Sequence, residues 1–275
     1  MNVIVSKKQI AEAAGKAALC DYTYFREHDV PPPAGWRVVF TSDDLMPGKR
    51  AFFGALYAKT DPETGETDYT IAFRGSDGND LKSNFAIAAG LLPPQHKDAV
   101  AFTRLAAEKL GIDTDKISLT GHSLGGYLAR TVARVLDVKK VWAFSSPGPS
   151  KETRAYLDKI APYALPKKDK VIHIRSKNDI IGLWGTQESI TLELDTKKQH
   201  HAVKNIRKHL ALLSGEIPDP ALVKRKAGLL ERLFNTISKP LADGLRLYRS
   251  LKKLAQYAKP SPRPSLQSAP ALAGA

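Results

Sequence analysis

The sequence predicts an α/β protein with a mostly parallel central sheet and helices on both faces. The first indication is an alternation, from residue 98 onward, of helix-like and strand-like segments; strands separated by helices are joined by crossovers and lie parallel. The second is the stretch GHSLG at 121–125, where an apolar strand pattern changes into a helical one. The 275 residues, 43% of them hydrophobic, are enough to bury a core.

The N-terminal part begins with a predicted helix and continues with strands. Residues 7–25 carry apolar side chains at helical spacing, and the prolines at 31–33 end this helix. Strand-like runs follow at 37–41, 51–60 and 68–75. The turn sequence DPETGE separates the last two runs, so we expect them to form a hairpin.

The alternating part completes a domain that we place at residues 1–215. Its predicted elements, in order, are helix 98–111, strand 116–121, helix 123–137, strand 139–148, helix 152–161, strand 170–176, strand 189–195 and a helix from about 200 to 213.

A basic helical extension is predicted at 216–258, followed by a disordered Pro-, Ser- and Ala-rich tail at 259–275. Residues 221–259 contribute +8 of the net charge of +14. Basic amphipathic helices suit an anionic membrane surface, where each Lys or Arg adds about 1 kcal/mol. Alternatively, these helices pack on the core with a solvated basic face, or bind a partner such as a secretion chaperone or an inhibitor protein.

Several classes of protein are not favoured by the sequence. The longest apolar runs are too short to cross a bilayer, and the N-terminus lacks the apolar region of a Sec signal, so we expect a soluble chain without one. Cys20 is the single cysteine and is predicted to be a core residue. No Cys/His set has ligand spacing, so we expect no metal and no cofactor, and we expect no nucleic-acid partner.

Ser123 is the candidate nucleophile. The pattern G-x-S-x-G between a strand and a helix is typical of a tight turn that lifts a serine hydroxyl above the sheet edge. The alternative is a serine that only caps the following helix.

A serine hydroxyl needs a base, and the base needs an orienting acid. Asp179 directly follows a predicted parallel strand, which places it better than Asp158, Asp169 or Asp195. The candidate bases are the histidines of QHHAVKNIRKHL, of which His209, two turns into a predicted helix, is the least favoured. Spacing alone does not separate His200 from His201. His122 is expected to pack under the turn, and His173 to be a core residue.

The oxyanion of a tetrahedral intermediate needs at least two donors. The backbone N–H of Leu124, directly after the nucleophile, is one candidate. The loop after strand 69–73 offers a second, because Gly75 has no side chain and would let Ser76 approach the site. An ordinary strand-ending turn is the alternative interpretation of this loop.

These motifs together resemble the class 3 lipase family of α/β-hydrolases. The resemblance rests on TIAFRGSDGNDLKSNF, ISLTGHSLGGYLAR and VWAFSSPGPS, in that order. It implies the α/β-hydrolase fold, with Ser76 as oxyanion residue, Ser123 as nucleophile and Asp179 as triad acid. HHAVKNI resembles the family's histidine segment if His201 is the base, so we choose His201, with His200 as the alternative. The apolar segment 84–94 corresponds to the family's lid; a buried helix is the alternative.

The expected function is that of a serine hydrolase cleaving carboxylic esters of lipids through an acyl-enzyme. We favour phospholipids, at membrane surfaces, because of the basic C-terminal region. The alternatives are a soluble short-chain carboxylesterase and a catalytically silent lipase-like binding module. A free phospholipase threatens its host's membrane, so we expect an effector exported by a route that reads no N-terminal signal; the alternative is a cytoplasmic enzyme.

Overall fold

The computed structural model describes residues 6–25, 30–49, 51–76, 91–162, 170–187, 190–196 and 201–215. The predicted basic extension, the tail, His200 and most of the predicted lid segment lie outside these ranges. The boundary placed after residue 215 therefore stays a prediction.

Within the described ranges, seven strands form one sheet in which each strand lies beside its neighbours in the chain. They are β1 (Arg37–Thr41), β2 (Gly54–Thr60), β3 (Thr67–Phe73), β4 (Ile117–His122), β5 (Lys140–Phe144), β6 (Val171–Ser176) and β7 (Ile190–Leu194). β1, β2 and β3 pair antiparallel, whereas β3 to β7 are parallel. The predicted hairpin and the predicted parallel sheet are both confirmed, and the arrangement is that of an α/β-hydrolase.

Seven α-helices lie in the described residues. They are α1 (Lys7–Tyr22), α2 (Ser42–Leu45), α3 (Gln95–Leu110), α4 (Leu124–Val132), α5 (Lys151–Ile160), α6 (Ile180–Leu183) and α7 (Val203–Ser214). Ser6 begins α1 with a capping box: its hydroxyl accepts from the backbone N–H of Gln9, and the Gln9 side chain accepts from that of Ser6.

The two faces of the sheet bury different cores, because side chains alternate along a strand. Ile71, Leu119 and Val141 are register neighbours on three strands and pack with α3 and α4. Trp142, one residue further along β5, lies on the other face with apolar residues of α1 and α7. Helices thus cover both faces, as predicted.

The face under α1 also buries polar groups. Cys20 lies 3.1 Å from the Thr120 hydroxyl, and burial raises the pKa of its thiol to about 12, so it is the core residue expected. The Lys16 ammonium donates to Thr70 and forms an ion pair with Asp68 at 2.5 Å. Burial lowers the pKa of Lys16, and the Asp68 charge opposes that shift.

Several boundaries differ from the prediction. Helix α3 starts at Gln95 rather than 98, and β5 ends at Phe144 because Ser145 has φ 45° and leaves the strand conformation. Helix α4 was expected to reach 137 but ends at Val132. The chain there tightens into turns in which Val135 N–H donates to the Val132 carbonyl at 2.9 Å, three residues back.

Candidate active site

Ser123 occupies a sharp corner between β4 and α4. Its backbone φ of 56° and ψ of −122° lie in a region that residues other than glycine rarely adopt. Its N–H donates to the Phe144 carbonyl at 3.0 Å, and its carbonyl accepts from Tyr127 N–H at 3.1 Å. The side chain makes no capping hydrogen bond to the helix, so the alternative of a simple capping serine does not describe it.

Glycines at 121 and 125 let the backbone close this corner. A Cβ on Gly121 would lie 2.2 Å from the Gly125 carbonyl carbon, and one on Gly125 would lie 2.0 Å from the Phe73 carbonyl oxygen. Neither position can hold a side chain without moving backbone atoms. The spacing of small residues in the sequence therefore reflects contact between β4, α4 and the end of β3.

His201 and Asp179 complete a chain of contacts with this serine. The His201 Nε2 atom lies 3.0 Å from Ser123 Oγ, and His201 Nδ1 lies 3.0 Å from Asp179 Oδ1. Asp179 is fully buried and His201 is 2% exposed. Residues separated by 78 and 22 positions are thus brought into hydrogen-bond distance.

The local structure explains the position of Asp179. It follows β6 at the carboxyl end of the parallel strands, the same edge at which β4 ends in the serine corner. It also caps α6, since Oδ1 accepts from Ile181 N–H at 3.0 Å. One carboxylate oxygen is therefore fixed by the backbone while it faces the imidazole.

Several other candidates of the sequence make different contacts, whereas Asp169 and His200 lie outside the described residues. Asp158 is paired with Arg134, and the His209 Nδ1–H donates to the Asn205 carbonyl at 3.0 Å within α7. His173 is buried, and its Nε2 accepts from Ser146 N–H at 3.3 Å, in keeping with the predicted core role.

The predicted oxyanion donors lie near the serine corner. Leu124 is the first residue of α4, so its N–H has no partner within the helix. Phe73, the last residue of β3, pairs with Gly121. The segment that follows β3 and leads to Ser76 therefore starts beside the corner at Ser123. The missing side chain of Gly75 makes room for Tyr24 and for the end of β4, because a Cβ there would lie 2.2 Å from the Tyr24 hydroxyl oxygen and 2.6 Å from the His122 carbonyl oxygen. That it also lets Ser76 approach the site stays a prediction.

Two residues beside the site were not singled out for it by the sequence. The Tyr24 hydroxyl lies 3.0 Å from His122 Nδ1, and His122 Nε2 lies 2.6 Å from the His201 carbonyl oxygen. His122 is 2% exposed, and it contacts the candidate base. The position of His122 in GHSLG, directly before Ser123, could have indicated that it lies beside the site. No pattern in the sequence indicated the same for Tyr24.

Neither a metal cluster nor a spanning segment occurs in the part of the chain that the structure describes. No group of three or more His, Cys, Asp or Glu side chains there could hold a metal ion. None of the helices described is both long and apolar enough to cross a membrane.

Comparison with known proteins places the chain in a family. The family model of the Tle-like phospholipase domain matches residues 15–219, more than half of the chain. The chain is also 34% identical, over 131 residues, to the extracellular phospholipase A1 of Serratia liquefaciens. That match covers 47% of this chain and 40% of the relative, so it spans less than half the length of the Serratia protein.

Solved structures show weaker likeness. The extracellular lipase LipA of Serratia marcescens is 17% identical with a TM-score of 0.41, over 70% of this chain and 43% of that one. An esterase of Pyrobaculum calidifontis is 13% identical with a TM-score of 0.35, over 78% of this chain and 94% of that one. The class 3 lipase family suggested by the motifs stays a resemblance, since the matching family model is a different one. The chain belongs to the family of Tle-like phospholipase domains.

Proposed function

We propose that the protein hydrolyses carboxylic ester bonds of phospholipids at membrane surfaces, with Ser123, His201 and Asp179 as its catalytic triad. The observation that carries this proposal is the continuous series of contacts from Asp179 Oδ1 through both ring nitrogens of His201 to Ser123 Oγ, each 3.0 Å long. A nucleophile, a base and an orienting acid in this order constitute the chemistry of acyl transfer.

In the acylation step, Ser123 Oγ attacks the ester carbonyl carbon while its proton passes to His201 Nε2. Asp179, itself buried like His201, holds the Nδ1–H of His201 and stabilises the imidazolium that forms. The oxyanion would accept from the N–H groups of Leu124 and Ser76 and from the Ser76 hydroxyl. Removing one such donor typically costs about 3 to 4 kcal/mol of transition-state stabilisation.

The same residues would release the product. His201 returns its proton to the leaving alcohol oxygen, which departs as a lysophospholipid. It then takes a proton from a water molecule that attacks the acyl-enzyme carbonyl. Collapse of the second tetrahedral intermediate frees the fatty acid and restores Ser123.

Phospholipid is favoured as the substrate by three observations. The chain belongs to a phospholipase-like family, and the Serratia relative is described as a phospholipase A1. The net charge of +14 would attract the protein to an anionic surface. The Trp184 side chain, 45% exposed, directly follows the short helix capped by Asp179, and tryptophan is suited to the membrane–water interface.

We further propose that the protein acts outside the cell that makes it. The Serratia relative is described as extracellular, and a phospholipase active on its own membrane would harm its host. Activity found only in the producer's cytosol would contradict this part of the proposal.

The decisive experiment compares the wild type with Ser123→Ala and His201→Ala. Substrates are a short-chain p-nitrophenyl ester and vesicles of anionic or zwitterionic phospholipid, with released fatty acid as the readout. We expect both variants to lose at least about 10⁴-fold in kcat on both substrates while binding vesicles like the wild type.

Other results would change the assignment. Equal rates in wild type and Ser123→Ala would contradict the triad. Turnover of soluble esters without turnover of vesicles would favour the short-chain carboxylesterase. Vesicle binding without turnover in any form would favour the binding module.

A further inference from the structure

We propose that His122 and Tyr24 are positioning residues that hold the backbone of His201, and so set the distance between its imidazole and Ser123. The inference rests on the proposed role of His201 as the base. It concerns two side chains that touch neither Ser123 Oγ nor Asp179 in the contacts described above, and that act through the His201 carbonyl.

The hydrogen bonds have a defined direction. A carbonyl oxygen can only accept, so the His122 Nε2 atom, 2.6 Å from the His201 carbonyl, carries the proton. In the neutral ring Nδ1 is then an acceptor, and the Tyr24 hydroxyl 3.0 Å away donates to it. Tyr24 thus fixes the tautomer of His122 in the form that can hold His201.

The His201 backbone lies where regular secondary structure does not hold it. Helix α7 begins at Val203 with Ala202 as its cap, so the His201 carbonyl precedes the helix's own hydrogen-bond ladder. The bond from His122 ties this carbonyl to the end of β4, one residue before Ser123. The proposed base and the proposed nucleophile are therefore both attached to the end of β4, the base through a hydrogen bond and the nucleophile through the chain.

The two imidazole rings also contact each other. Their centroids are 4.8 Å apart with 44° between their planes, and His122 is 2% exposed. The His122 ring therefore packs against the imidazole of the proposed base. The arrangement restrains both the backbone and the ring of the proposed base.

Tyr24 links this contact to the other side of the site. Its hydroxyl occupies the space that a side chain on Gly75 would need, at 2.2 Å from the ideal Cβ position. Gly75 directly precedes Ser76, the proposed oxyanion residue.

Asp21, one turn before Tyr24, is buried and lies 3.7 Å from the Arg207 guanidinium of α7. This ion pair holds α7 against the end of α1.

The test removes the hydrogen-bond donor to His201 while keeping bulk, and then restores a donor. His122→Phe keeps a ring but has no donor, whereas His122→Gln places an amide N–H near the position of Nε2. Tyr24→Phe removes one hydroxyl. Tyr57→Phe is its matched control, because Tyr57 is buried on the same face of the sheet and its hydroxyl has no hydrogen-bond partner among the described residues.

The measurements are kcat and KM for p-nitrophenyl butyrate, the rate constant for labelling of Ser123 by a fluorophosphonate, and the thermal midpoint. We expect His122→Phe to lower kcat and the labelling rate by about 30- to 100-fold with little change in KM, since misplacement of a catalytic group by about 1 Å has costs of this order. We expect His122→Gln to recover most of the loss, Tyr24→Phe to lose about threefold to tenfold, and Tyr57→Phe to match the wild type.

Several outcomes would overturn the inference. One is full kcat in folded His122→Phe; another is an equal loss in His122→Gln and His122→Phe, because the donor would then be irrelevant. If His122→Phe does not fold, the comparison of Tyr24→Phe with Tyr57→Phe decides, and equal kcat values would contradict the proposal. Failure of the proposed function is distinguishable, since it appears as activity retained in His201→Ala.

Discussion

Two serines with a positive φ, Ser123 and Ser145, form sharp corners on neighbouring strands at the carboxyl edge of the sheet. The two corners differ in the burial of the serine and in the partners of its hydroxyl. Ser123 follows β4 with φ 56°, and Ser145 follows β5 with φ 45°; no other described residue except glycine has a positive φ. Ser123 is half-buried and 3.0 Å from an imidazole. Ser145 is completely buried, and its hydroxyl has no hydrogen-bond partner among the described residues. Backbone strain alone therefore does not make a serine a candidate nucleophile; a base and access for a substrate are also needed.

The histidines near the two corners differ in the same way. His201 has a carboxylate on one nitrogen and a hydroxyl on the other. His173 accepts from the backbone N–H of Ser146, and burial, followed by the nearby charges of Arg130 and Arg175, holds its pKa well below the usual value. An imidazole kept neutral in this way supports the structure of the second corner.

The second corner is closed by a buried arginine. Arg130 of α4 donates to the carbonyls of Pro147 and Thr186 and to the Gln187 side chain. Burial lowers the pKa of its guanidinium to about 10. These bonds join the chain after Ser145 to the loop after α6, and cover the corner that carries no candidate base.

The largest expected effect comes from Asp179→Asn at the first corner. An amide at this position would favour the wrong tautomer of His201, so we expect kcat to fall by about 10⁴-fold with the fold preserved. Ester hydrolysis and circular dichroism measure the two quantities. Asp158→Asn, at the ion pair with Arg134, is the control and should keep wild-type kcat. Comparable kcat values in the two variants would argue against Asp179 as the orienting acid.

Gly125→Ala should disrupt the first corner through its backbone. The new Cβ would lie 2.0 Å from the Phe73 carbonyl oxygen, so β3 and α4 must separate. We expect a loss of about 3 kcal/mol in the free energy of unfolding and at least about a tenfold loss of kcat in the folded fraction. Gly15→Ala in α1 is the control, because its Cβ would meet only Trp36 at an ordinary 3.8 Å. Unchanged stability in Gly125→Ala would mean that the corner is less tightly packed than the structure indicates.

The pH dependence of stability should report His173 at the second corner. Its pKa is lowered in the folded protein, whereas a histidine in the unfolded chain titrates near about 6.5. Below that pH only the unfolded chain binds this proton, so the free energy of unfolding falls as pH decreases, by up to about 1.4 kcal/mol per pH unit for this group. Urea unfolding between pH 7 and 5 should show a smaller decrease in His173→Gln than in the wild type. His96, whose pKa burial also lowers, should contribute equally to both proteins. Identical pH dependence would contradict a neutral His173.

The smallest effect is expected for Ser145→Gly. Glycine adopts a positive φ without strain, and the substitution removes a buried hydroxyl that has no partner among the described residues. We expect a gain of about 1 kcal/mol in the free energy of unfolding with kcat unchanged, measured by thermal melting and ester hydrolysis. A large loss of kcat would show that the second corner takes part in the chemistry after all.

Much of the fold could be predicted because its signals are local. The alternation of helix and strand patterns indicated the parallel sheet, and the glycines at 121 and 125 indicated the corner at Ser123. The end of α4 could not be predicted, since the apolar pattern continues past Val132 while the chain already turns. The strained conformation of Ser145 was also missed, because serine there carries no signal of a positive φ.

The sequence by itself determined where the candidate nucleophile and acid lie, since each follows a strand whose direction the crossover rule sets. Only the tertiary structure decided which side chains meet them. Spacing left His200 and His201 unresolved, and resemblance to a family chose His201; the structure describes His201 in contact with Ser123. The link from Tyr24 through His122 to His201 joins residues 98 and 79 positions apart. Contacts of this kind depend on how α1 and α7 pack against the sheet, and no periodicity in the chain encodes that packing.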